Sequence, residues 1–290
     1  MEKQELGKIE NKTGYDPYTP LRIAATRYWH KPMAVLFNAL QLRALSTASF
    51  GWNDSVLDVG CNDGECGVMF TEAWGPSGSL IGVDVAKEAI ESAGEKARKA
   101  YTQMVHGSAT DLPFEDGQFR AVISNASLLS IAGNLEPALN EMARVLQPEG
   151  DLAVTVCTDQ YEQHYWITKF LTRLGLKKWA QRYTASMNRR MQQVHLYSPQ
   201  EWCRQLEAAG FEIKRCVGFV PLDVVPLWSF LAWTPMRVIG ILKWVPNGPV
   251  RRGLQTMAFR CFKPLYDRIP REVPAEASGY ILIEAQKAVS

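Results

Sequence analysis

The sequence predicts a doubly wound α/β fold on three observations. Between Ser55 and Cys157, short apolar runs alternate with amphipathic stretches, the pattern of a parallel sheet covered on both faces. The first run, Val56-Leu57-Asp58-Val59, breaks into the small-residue turn Gly60-Cys61-Asn62-Asp63-Gly64 directly before a helix. The next two runs also end in carboxylate-bearing turns: Asp84 closes Leu80-Ile81-Gly82-Val83, and Asp111 follows Gly107-Ser108-Ala109-Thr110.

Taken in order, strands are expected over Ser55–Gly60, Ser79–Asp84, Gln103–His106, Arg120–Asn125 and Asp151–Cys157. Helices are expected over Gly64–Ala73 and Lys87–Ala100. A further helix is capped by Asn134, carries Glu136 and Pro137 in its first turn, and shows the apolar stripe Leu135, Leu139, Met142, Leu146. Gln147-Pro148-Glu149-Gly150 reads as a turn. Ser198-Pro199-Gln200-Glu201 is a capping box whose helix ends at Gly210, and strands follow over Phe211–Phe219 and Gly279–Gln286. Three pieces lie outside this alternation: a helical preamble at Thr19–Phe50 broken at Pro32, a helical insertion at Asp159–Val194, and a proline-punctuated insertion at Pro221–Ala277. One domain spanning 1–290 with these embellishments is the economical reading.

Bulk properties narrow the function classes. With 47% apolar residues and a formal net charge of +2, the chain is neither a disordered acidic protein nor, overall, a basic nucleic-acid binder. Met1–Gly14 has no apolar core of a signal peptide, so the cytoplasm is the expected compartment. No run is long enough to span a membrane; Val224–Met236 is short and holds Pro226 and Pro235. The six cysteines form no CxxC pair and no zinc-like cluster, and they read as small buried hydrophobes.

A tight turn at the carboxyl edge of the first strand is where an open α/β sheet binds a nucleotide-like ligand. Gly60 would let backbone approach that ligand and Gly64 would permit close helix packing. Asp84, ending the second strand, stands where an acid accepts hydrogen bonds from ribose hydroxyls. The plainer alternatives are an ordinary strand-to-helix turn for Gly60, helix caps for Asp84 and Asp111, and a turn residue for Asn125.

With these residues in view, the chain resembles the class I S-adenosylmethionine-dependent methyltransferases, in their broad small-molecule group, over Ser55–Cys157, Ser198–Phe219 and the last strand. The family's acid-x-Gly-x-Gly-x-Gly motif corresponds to Asp58 through Gly64. The resemblance implies a mostly parallel seven-stranded sheet with an antiparallel last strand, a Rossmann-like methyltransferase fold capped by the helical insertions. It also implies S-adenosyl-L-methionine as cofactor. Asp58, Gly60, Cys61, Asn62 and Gly64 would flank its amino-acid part, Asp84 would bind its ribose, Ala109 with Asp111 would border its adenine, and Val85 and Thr110 would also contact the cofactor. Asn125 would face the sulfur. Asn62 stands where a glycine is usual, and Asn is the side chain best suited to left-handed backbone. Glu149 replaces another common glycine. The rival cofactor, a nicotinamide dinucleotide, would need G-x-G-x-x-G, which Gly60, Gly64 and Gly67 do not supply.

A hydroxyl or acidic-carbon acceptor would need a base, for which His30 and His164 are the candidates, each with packing or surface exposure as its alternative. Tyr15 and Tyr18 could close over the cofactor. Ser124-Asn125-Ala126-Ser127 lacks the Pro-Pro-Tyr signature of base-amine methylation, so nucleic acid is not the expected partner. Val217–Arg271 carries eight cations against two acids beside Trp228, Phe230, Trp233, Trp244, Phe259 and Phe262. That composition fits a peripheral membrane contact or a lid over a greasy substrate, with core packing or a homodimer contact as alternatives. Lys169, Arg173, Lys177, Lys178 and Arg182 add a second basic face. The expected acceptor is therefore small and hydrophobic or lipid-like. The competing readings are a nicotinamide oxidoreductase and a non-catalytic binding member of the fold.

Overall fold

The apolar runs become seven strands of one sheet: β1 (Ser55–Val59), β2 (Ser79–Asp84), β3 (Gln103–His106), β4 (Phe119–Asn125), β5 (Leu146–Cys157), β6 (Phe211–Pro221) and β7 (Ser278–Lys287). The computed structural model describes residues 16–49, 52–75, 78–231 and 244–288. The strand order is β3-β2-β1-β4-β5-β7-β6, and β7 runs antiparallel to both its neighbours. Val56, Leu57, Asp58 and Val59 are all buried, as expected of a central parallel strand covered on both faces. Registers such as Val59↔Val83 and Asp84↔His106 bring the carboxyl ends of β1, β2 and β3 to one edge.

The preamble forms α1 (Thr19–Tyr28) and α2 (Pro32–Leu45), with Lys31 in non-helical backbone, as the residue before a proline must be. Phe50, at its expected end, lies outside the described residues. Helix α3 (Glu65–Trp74) follows β1. The single helix expected over Lys87–Ala100 is instead two, α4 (Lys87–Glu91) and α5 (Glu95–Ala100). Ser92 turns its hydroxyl back onto the Ala89 carbonyl, and Gly94 is extended, so the chain leaves helical geometry between them.

Helix α6 (Glu136–Val145) has Leu135 rather than Asn134 at its N-cap, and Asn134 one residue earlier accepts from the Glu136 amide at 3.0 Å. The turn expected at Gln147–Gly150 lies inside β5, where a register shift opposite Phe119–Ala121 absorbs it and Glu149 takes φ 56°. The insertion after β5 holds α7 (Trp166–Arg173) and α8 (Lys177–Arg190). Ser198 then caps α9 (Pro199–Ala208), accepting from the Glu201 amide at 3.2 Å, and Gly210 ends it at φ +88°. The last insertion holds α10 (Val225–Leu231) and α11 (Pro249–Arg268). It leaves and re-enters the sheet at paired positions, Pro221 and Ser278.

One side of α11 packs on the preamble, with Ala258 and Tyr266 buried there. Tyr18 packs edge-on against Phe259, its hydroxyl accepts from Lys263 at 2.9 Å, and Arg22 lies over the Phe259 ring. Buried Arg43 of α2 donates to the carbonyls of Tyr266, Ile269 and Pro270, at 3.1, 3.1 and 2.8 Å. A cation there satisfies orphan carbonyls at a helix C-terminus and complements the helix dipole. The cysteine expectation holds only in part: Cys61 and Cys157 are buried, Cys66, Cys203 and Cys216 are half-buried, and Cys261 is exposed.

Candidate cofactor and acceptor site

The motif after β1 folds as an alternation of left-handed residues, with Gly60 at φ +85°, Asn62 at +51° and Gly64 at +81°. This curl brings the Gly60 and Cys61 amides onto the Val83 carbonyl, at 2.8 and 3.1 Å, locking the β1 loop against β2. Asp84 fastens it further: Oδ2 accepts from the Asn62 amide and Oδ1 from the Ala86 amide, both at 2.8 Å. Each carboxylate oxygen keeps acceptor capacity beyond that one bond. Val85 beside it is 70% exposed, an apolar surface at the lip of the edge.

Gly64 permits close packing as its place in the pattern implies, whereas the space over Gly60 is taken by protein. A Cβ on Gly60 would fall 2.1 Å from the Ser127 Cβ, so that space is filled by a side chain from the turn after β4. Cβ atoms on Gly64, Gly67 and Gly82 would lie 3.2, 2.2 and 2.8 Å from the ring of Tyr101. The Tyr101 hydroxyl accepts from the Gly67 amide at 3.0 Å and donates to Asp58 Oδ2 at 2.5 Å. Asp58 is fully buried, and its Oδ1 has no hydrogen-bond partner among the described residues. Burial raises its pKa to about 6, against the lowering effect of the Tyr101 bond and with added repulsion from Asp84. Cys61, expected at the cofactor, turns its side chain inward against Gly82 and contributes its backbone to the loop.

At the third loop, His106 Nε2 lies 3.2 Å from the Val85 carbonyl, joining the ends of β2 and β3. Ala109 is half-buried, Thr110 and Asp111 are exposed, and the Asp111 amide bonds the Ser108 carbonyl at 3.2 Å. Asn125 is tied into a chain of side chains that sequence reasoning misses. Its Nδ2 donates to Cys66 Sγ at 3.3 Å, and its Oδ1 accepts from Thr155 Oγ1 at 2.8 Å. Thr155 Oγ1 in turn accepts from Gln41 Nε2 at 3.1 Å. The Cys66 thiol is pushed up to about 12, chiefly by burial, so it stays protonated.

Among the described residues, the preamble residue that approaches this loop is Tyr28. Its phenol is shifted upward by burial and by nearby Cys66, Glu65 and Asp63, while Arg27 pairs with Glu65 and Glu72 of α3. Tyr18 packs against α11 and does not close over the loop; Tyr15 lies outside the described residues. His30 sits in the α1–α2 connection against the Trp29 ring. His164 lies in the 3-10 turn Glu162–His164 after β5, with Nδ1 2.9 Å from the Gln160 carbonyl. The Nδ1 bond of His164 thus stays within its own turn. Near the carboxyl end of β5, Tyr161 packs edge-on against Tyr280 and Tyr165 and beside Trp228, and Phe37 of α2 joins from the other side. Among the described residues no cluster of His, Cys, Asp or Glu could hold a metal ion.

An antiparallel strand inserted between β5 and β6 departs from the all-parallel 3-2-1-4-5-6 order of dinucleotide-binding sheets. With the loops at its edge, this sheet defines the class I, Rossmann-like methyltransferase fold. Residues 56–150 match the family described as methyltransferase domain, the same stretch that runs from β1 into β5 of this sheet.

Demethylmenaquinone methyltransferase of Staphylococcus aureus is 38% identical over 104 residues, covering 36% of this chain and 42% of that protein. The Listeria welshimeri demethylmenaquinone methyltransferase is 34% identical over 102 residues, covering 34% of this chain and 43% of that protein. The match thus spans less than half the length of these relatives. Among solved structures, geranyl diphosphate C-methyltransferase from Streptomyces coelicolor A3(2) superposes with TM-score 0.54 at 18% identity, covering 90% of this chain and 84% of that one. The 4+2 cyclase SpnF gives TM-score 0.54 at 20% identity, covering 88% and 82%. At such identities the likeness is one of fold.

Proposed function

We propose that the protein transfers a methyl group from S-adenosyl-L-methionine to a small hydrophobic or lipid-like acceptor. The observation that carries the cofactor assignment is the Asp84 carboxylate, which bridges two edge loops with one bond per oxygen beside exposed Val85. Those remaining lone pairs suit two ribose hydroxyls, and the apolar lip suits the adenine. The partnerless Oδ1 of Asp58 fits the demand of a cationic ligand, so the residues present fit the group. When bound, the cofactor supplies a methyl group on an already activated sulfonium. The chain's part is to align the acceptor and exclude water.

The hydrophobic acceptor is supported by the activities that the similar proteins are named for, which act on demethylmenaquinone and geranyl diphosphate. His164 is the favoured base, with His30 second. A donated Nδ1–H to the Gln160 carbonyl would leave Nε2 as the nitrogen that takes a proton. The expected result for His164→Gln is a fall of about 100-fold or more in labelled-methyl transfer to quinol or isoprenoid acceptors, with cofactor affinity retained. Unchanged turnover would remove the assignment.

The cofactor assignment is tested by calorimetric titration of S-adenosylmethionine and its demethylated product into wild type and Asp84→Ala. Loss of charge-assisted hydrogen bonds should weaken binding by roughly 1.5–3 kcal/mol. Equal affinity in both proteins would refute the ribose role. Cofactor uptake without methyl transfer to any acceptor would instead place the protein beside fold members, such as the 4+2 cyclase, that run other chemistry on the same sheet.

A further inference from the structure

Beyond Glu162 the insertion after β5 carries charge of one sign. From Gln163 to Gln200 it holds seven Lys and Arg residues and no Asp or Glu. Helix α7 fully buries none of its residues, and every residue from Thr172 to Trp179, from the end of α7 through the turn to the start of α8, is exposed. The apolar side chains there are large and open: Phe170 is 53% exposed, Leu174 57%, Leu176 43% and Trp179 61%. On α7, Trp166, Phe170 and Leu174 recur at helical spacing, and Trp166 meets the half-exposed Phe230 of α10 at 5.5 Å between ring centroids. Lys169, Arg173, Lys177 and Lys178 flank this stripe.

The hairpin is held at its base and open at its tip. Tyr165 is fully buried within hydrogen-bond reach of Asn188 and Gln193, Thr168 bonds Thr184 at 2.8 Å, and Asn188 bonds Glu162. It springs from the carboxyl end of β5, the same edge that carries the Gly60 and Asp84 loops. The basic insertion at 221–277 differs, because its Phe259, Lys263 and Tyr266 are drawn onto the preamble.

We infer that the α7–α8 hairpin docks on an anionic lipid bilayer. Phe170, Leu174, Leu176 and Trp179 enter the interface, and the flanking lysines and arginines meet the headgroup phosphates. Apolar bulk ringed by cations and free of carboxylates is complementary to that surface, since buried apolar area and attraction to anionic headgroups add. The surface stands on exposure and charge alone; only its use in delivering an apolar acceptor to the sheet edge rests on the proposed function.

The test is co-sedimentation of the full chain with phosphatidylcholine vesicles, with and without phosphatidylglycerol. Wild type should partition onto the anionic vesicles and be released by salt. Lys177→Gln and Lys178→Gln should each lower partitioning about fivefold. Leu174→Ser with Trp179→Ser should lower it about tenfold or more. Circular dichroism and S-adenosylmethionine titration of the same samples report on folding and on the proposed function separately. Vesicle binding without cofactor uptake would leave the docking surface standing and refute the enzyme reading. Three results would overturn the inference: no partitioning of wild type, equal partitioning of all variants, or vesicle-independent self-association that the tip substitutions abolish.

Discussion

Asp58→Asn is expected to make the protein more stable and unable to hold its cofactor. The wild-type carboxyl is fully buried, with Tyr101 donating to one oxygen and nothing among the described residues donating to the other. Burial lifts its pKa to about 6 from 3.8, so the native state prefers the neutral acid. The sign follows directly: the stability this group contributes is complete below pH 3.8 and is lost as pH rises through about 6. Above that the folded protein carries an unfavourable buried charge of about 3 kcal/mol, by the usual conversion of pKa difference to free energy. An amide keeps an acceptor for Tyr101 and removes the charge. We expect Tm at pH 8 to rise by about 4–8 °C, for a net gain of about 2 kcal/mol in a chain of this size. The gain should shrink toward zero below pH 4. Cofactor affinity should fall by a factor of about 30 or more in the variant, because a charge-assisted partner is gone. In wild type it should weaken as pH drops through about 6. Thermal scans and titrations across this range decide it: parallel melting curves would show that the buried carboxyl carries no such penalty.

The second large effect lies in the ring beneath that loop. Tyr101 fills the space left by Gly64, Gly67 and Gly82, so Tyr101→Ala opens a cavity and should cost about 3–5 kcal/mol in urea unfolding. Gly67→Ala alone places a methyl 2.2 Å from the ring and should cost about 1–3 kcal/mol. In the Tyr101→Ala background the same change has room, and helix propensity then favours alanine by about 1 kcal/mol. The double variant should therefore be more stable than Tyr101→Ala alone, a reversal of sign that measures the contact. Additive losses would mean that the ring and the helix do not meet.

The strand-and-turn skeleton was legible because its signals are local. Asp58 and Asp84 stand at the carboxyl ends of short apolar runs, Asn62 takes the left-handed backbone its side chain tolerates, and Ser198 caps the helix its box announces. What was not legible depends on residues far apart in the chain. Gln41 reaches Thr155 across 114 positions, and nothing in the spacing of either marks the chain of bonds that holds Asn125. Tyr101 lies outside every motif, yet its ring packs against the space left by Gly64, Gly67 and Gly82. The Lys87–Ala100 stretch has helical composition, and only the backbone competition at Ser92 and Gly94 divides it. The charge count pointed first to 221–277, because composition does not show that Lys263 of that stretch is drawn onto the Tyr18 ring and Asp267.

The pairing of Pro221 with Ser278 has an evolutionary corollary. A segment whose two ends are pinned side by side behaves as a cassette: it can be lengthened, trimmed or swapped without re-registering the strands that carry it. The entropic penalty of a longer loop grows only logarithmically, by about 0.6 kcal/mol for each doubling. That one stretch can thus change in length and sequence while the sheet edge that carries the Gly60 and Asp84 loops stays as it is.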